Sequence, residues 1–75
     1  MKWTAKLIHP KPMELIIQEE VFQDIVQQQD VLQYHIYVYE RDGQVYDYMQ
    51  DDLETAMSFA LRKFHVPLDA WQQVE

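Results

Sequence analysis

The chain has no cysteine, so neither a disulfide framework nor a thiolate metal site or nucleophile is available and the fold must rest on packing alone. Its only glycine is Gly43, which excludes a glycine-rich phosphate loop. Its only serine, Ser58, falls within a helical pattern and lacks the flanking glycines of a nucleophile elbow. Basic residues are scarce in the middle: between Pro12 and Leu61 eleven acids face the single base Arg41. A net charge of −7 repels phosphate and anionic lipid, so direct nucleic-acid or membrane contact is not expected, and a basic protein surface is the charge-matched partner. No apolar run is long enough for a signal peptide or a bilayer span, which sets a cytoplasmic location as the expectation.

What is present favours a folded state. Of the 75 residues, 48% are apolar and 13% aromatic, the reverse of a disordered composition, and a chain of this size is expected to form one domain over residues 1–75. There is no internal repeat and no Gly/Ser linker. Trp3, Ala5 and Leu7 alternate with Lys2, Thr4 and Lys6, predicting a strand before the His9-Pro10-Lys11-Pro12 corner. Met13, Leu15 and Ile17 alternate too, but Pro12 could equally open a helix there. Val21, Phe22, Ile25 and Val26 stand at i, i+1, i+4 and i+5, which predicts a short helix from about Glu19 to Gln29.

Two stretches rich in Tyr, Val and Ile, Leu32–Glu40 and Gln44–Gln50, flank Arg41-Asp42-Gly43 and predict a β-hairpin. A three-residue loop with Gly43 in a left-handed bulge, placing Glu40 opposite Gln44, sorts the two faces better than a two-residue loop. It puts Leu32, Tyr34, Ile36, Val38, Tyr46 and Tyr48 on a core side and Gln33, His35, Tyr37, Tyr39, Val45, Asp47 and Met49 on the other. Leu53, Ala56, Met57, Ala60, Leu61 and Phe64 then form a helical stripe, opened by an Asp51/Glu54 capping box and closed before Pro67. Beyond Pro67, one further turn would return Leu68 and Trp71 to the core. The expected fold is α+β: an antiparallel sheet of three to four strands with two helices packed on one face, in the order β(β)αββα.

The chemical inventory is thin. His9, His35 and His65 lack metal-ligand spacing, and Asp42, Asp47, Asp51 and Asp52 lack the order of a calcium loop. No catalytic residue, metal or cofactor is assigned. The remaining feature is five tyrosines in one hairpin. If helices cover the Tyr34/Tyr46/Tyr48 side, then His35, Tyr37, Tyr39, Val45, Asp47 and Met49 form an exposed aromatic-and-Met face of the kind enriched at protein interfaces, although β-propensity alone also explains tyrosines in strands. The leading expectation is a non-enzymatic protein-binding or homo-oligomerising module, as a dimer or with another protein. An acidic immunity- or antitoxin-like inhibitor of a basic enzyme is the sharper form of this reading. A small ligand- or metal-dependent accessory enzyme, using His35 and Asp47, is the alternative from another class.

Overall fold

The structure, a computed structural model, describes residues 1–8, 11–41 and 43–75, with the backbone alone at Val45. Five strands form one antiparallel sheet: β1 (Lys2–Leu7), β2 (Met13–Asp24), β3 (Gln29–Glu40), β4 (Gly43–Gln50) and β5 (Gln72–Gln73), ordered β4-β3-β2-β1-β5. The α-helix α1 (Leu53–Phe64) packs on one side, and a single 3-10 turn (Leu68–Ala70) precedes β5. No helix among the described residues is long and apolar enough to cross a membrane.

The core lies between α1 and the sheet. Trp3 and Ala5 from β1, Met13, Leu15 and Ile17 from β2, and Ile36 and Val38 from β3 are buried beneath Ala56, Ala60 and Val66. Each strand contributes alternate residues, as a sheet covered on one side requires. Ala56 and Ala60 let the helix approach closely. Tyr48 and Phe59, with ring centroids 4.7 Å apart, fill one flank, and Trp71 closes the core from beyond Pro67.

Helix α1 has defined ends. Asp52 is the N-cap, its carboxylate accepting from Thr55 N–H at 2.7 Å. This bond holds the Asp52 carboxyl below the usual carboxylate range. The cap falls one residue after the expected Asp51. At the other end His65 turns left-handed (φ 60°), and the amides of His65 and Val66 donate to Leu61 and Ala60 carbonyls, a Schellman closure that drives Val66 into the core. Leu61, expected on the buried stripe, is 41% exposed, and Phe59 packs against the core in its place.

The expected sheet of three to four strands under two helices is overturned. Among the described residues there are five strands and one α-helix, because the predicted helix from Glu19 to Gln29 is instead the second half of β2, a turn and the first residue of β3. Within it Val21 and Phe22 pair with Leu32 and Val31, part of a ladder that runs from Glu14↔Tyr39 to Asp24↔Gln29, and this ladder outweighs the local helical pattern. Asp24 accepts from the Val26 and Gln27 amides and Gln28 takes φ 54°, which makes the reversal without glycine.

In the second hairpin Val38↔Tyr46, Tyr37↔Asp47, Ile36↔Tyr48 and His35↔Met49 pair as the bulged register requires. Nearer the turn the pairs are Tyr39↔Gln44 and Glu40↔Gly43, so Glu40 does not face Gln44 and the extra residue is Val45. His9, Pro10 and Asp42, parts of the predicted corner and turn, lie outside the described residues.

Candidate functional site: the uncovered face of the sheet

Helix α1 covers one side of the sheet. The other side carries Thr4 and Lys6 from β1, then Glu14, Ile16, Gln18, Glu20 and Phe22 from β2. From β3 come Val31, Gln33, His35, Tyr37 and Tyr39, and from β4 Asp47 and Met49. Among the described residues no element lies over this face.

Five of the six sequence-predicted site residues are placed here. His35 faces Met49 and Tyr37 faces Asp47 as direct cross-strand pairs, while Tyr39 stands one step toward the β3–β4 turn. Val45 lies in β4 at the bulge. His35 is the centre: its Nδ1 is 3.8 Å from Asp47 Oδ1, and its Nε2 is 3.4 Å from Glu20 Oε2. The ring stacks on Tyr37 at 5.9 Å with planes 17° apart, and Phe22 lies tilted on its far side at 6.0 Å. The imidazole side chain is therefore only 17% exposed, although no element among the described residues roofs the face.

Glu20 ties the cluster together. Its Oε1 accepts from the Tyr37 hydroxyl at 3.4 Å while its Oε2 approaches His35. The contact between His35 Nε2 and Glu20 has the distance of an ion pair but not the direction of a hydrogen bond. Burial pushes the Tyr37 phenol above its ordinary value, and the nearby carboxylates Glu20 and Asp47 push it further, since both oppose a phenolate. On the covered side Glu19 plays the matching part. It accepts from the Tyr34 hydroxyl at 3.0 Å, and this bond is the main reason the Tyr34 phenol is also raised.

Glu20 and Phe22 are absent from the predicted face because residues 19–29 fit a helical pattern, and Ile16 because 13–17 fit strand and helix alike. The period of two running through Glu14, Ile16, Gln18, Glu20 and Phe22, continuous with Met13, Leu15 and Ile17, was the signal that could have found them.

The arrangement is a surface rather than a pocket. A groove of about 470 Å³ opens at the end of the sheet, lined by residues at the end of β1, the start of β2 and the end of β3, with Tyr39 its link to the open face. No group of three His, Cys, Asp or Glu among the described residues is arranged to hold a metal ion. The chain gives no match to known protein families, to curated proteins or to solved structures.

Proposed function

We propose that this chain is a small, acidic, non-enzymatic protein-binding module that docks a partner on the uncovered face of its sheet. One observation carries the reading. A sheet covered on one side ordinarily presents a polar second side, yet here Ile16, Phe22, Tyr37, Tyr39 and Met49 share the bare side with His35. Aromatic and methionine side chains supply contact area at small entropic cost and are enriched in the central parts of interfaces. Glu14, Glu20 and Asp47 surround them with negative charge, which suits a partner surface rich in Lys and Arg, as the inhibitor reading requires. A second copy is the other occupant of the same face.

The test is affinity capture with the wild type and with Tyr37→Ala/Met49→Ala, both positions lying outside the end groove. The reading expects a discrete partner to be retained by the wild type and lost by the double variant, with capture weakening as salt rises. Equal capture by both would remove the open face as the site. The closeness of His35 to Asp47 and Glu20 supports an acid–base reading of the same face, which would instead appear as heat on titration with small metabolites or divalent ions.

A further inference from the structure

The β2–β3 hairpin outruns the rest of the sheet. β1 pairs with β2 only as far as Gln18, and β4 with β3 only as far as Tyr34, so residues 20–33 form a two-stranded arm flanked by no other strand among the described residues. A lone ribbon is marginal in water, and this one is apolar on both sides. Val21 faces Leu32 on one side and Phe22 faces Val31 on the other. At the tip Ile25 and Val26 are 84% and 92% exposed.

Charge indicates what such an arm can meet. Residues 12–40 contain no Lys or Arg, and the arm carries Glu20, Asp24 and Asp30. Lysine, the usual guard of an open strand edge, is absent from it. The end groove differs from the arm in holding cations. Apolar Leu7, Ile8, Met13 and Tyr39 line it with the cations of Lys6 and Arg41 and the carboxylates of Glu14 and Glu40, Ile8 is 74% exposed, and the last turn of α1, whose Phe64 packs on Tyr46, adds Arg62 and Lys63 toward the same end of the sheet. Lys6 and Lys11 are balanced in part by Glu14 and Glu40, at 3.8 and 2.6 Å.

Tip and groove cannot meet within one chain. Twelve strand residues at about 3.3 Å each set them roughly 40 Å apart, and the molecule is 44 Å long. We propose that the arm tip of one copy docks in the end groove of a second copy, head to tail. Ile25 and Val26 are set against Leu7, Ile8 and Tyr39, and Asp30 against Arg41. The two halves of this contact are different surfaces, so it is heterologous and each added copy leaves a free tip and a free groove. The inference does not depend on what occupies the open face.

The test is sedimentation of the full chain over a concentration series, using wild type, Val26→Asp, Ile8→Asp and an equimolar mixture of the two variants. Both positions are exposed, and circular dichroism verifies that each variant folds. The wild type is expected to grow past the dimer as concentration rises, and to do so less at high salt. Each variant alone should associate at least about tenfold more weakly, the loss expected when a charge enters an apolar contact. The mixture should form a one-to-one heterodimer and stop there, since it holds one working tip and one working groove. A wild type that stays monomeric, a closed symmetric dimer, or a mixture no more associated than its components would each overturn the proposal. The Tyr37→Ala/Met49→Ala variant should assemble like the wild type, which separates this contact from the open-face reading.

Discussion

The body under α1 and the arm both carry β-branched and aromatic residues on their strands, but differ in what those apolar groups touch. In the body, Leu15, Ile17, Ile36 and Val38 are fully buried between sheet and helix. In the arm, Val21 and Leu32 continue the same strands on the same side, and both are exposed because the helix does not reach them. Alternation along a strand decides which side a residue points to, but only the reach of the covering element decides whether that side is a core. The joint is fixed on both faces, by Tyr34 holding Glu19 on one and by Tyr37 with His35 holding Glu20 on the other.

The largest effect expected from that contrast is in the body. Leu15→Ala should cost about 2–5 kcal/mol, the usual range for emptying a buried leucine site, while Val21→Ala in the arm should cost less than about 1 kcal/mol. Urea midpoints of the two variants measure both, and similar losses would erase the distinction. A smaller effect, of opposite sign, is expected at the helix end. His65 holds a left-handed conformation that glycine adopts without steric cost, so His65→Gly should stabilise the body by roughly 0.5–1 kcal/mol. Thermal unfolding reads this directly.

The joint should respond to alkali. The Tyr37 phenol is raised in the folded state, so its contribution to stability is complete below the ordinary tyrosine value of about 10 and is lost as pH rises through the folded value. Tyr37→Phe should therefore flatten the fall in stability above that pH. An unchanged alkaline slope would mean that Tyr34, which is raised in the same direction by Glu19, carries the effect alone.

Much of the body could be read locally. The alternation of Trp3, Ala5 and Leu7 is β1, the Asp-rich start and Pro67 bracket α1, and the bulged register sorts Tyr34, Ile36, Val38 and Tyr48 from His35, Tyr37 and Asp47. The arm could not. Val21, Phe22, Ile25 and Val26 fit a helical face as well as a strand and its turn, and only cross-strand pairing, of Val21 with Leu32 and Phe22 with Val31, decides between them. The reversal at Gln27 and Gln28 also lacks Gly, Pro or Asn, and its one turn former, Asp24, does not interrupt the helical pattern. β5 is two residues long and exists because β1 offers an edge at Trp3 and Thr4. Leu32 lies on the core side of its strand, yet it is exposed because helix cover ends before it.

Residue-resolved amide hydrogen exchange on the dilute protein tests the central distinction most directly. The body amides of Leu15–Ile17 and Ile36–Val38 should exchange only through global unfolding, while those of 21–24 and 29–32 should open locally at much lower free energy and gain protection as concentration rises. Arm amides as protected as the body at every dilution would contradict the account, because the hairpin would then be part of the folded core and not an element held out for contact.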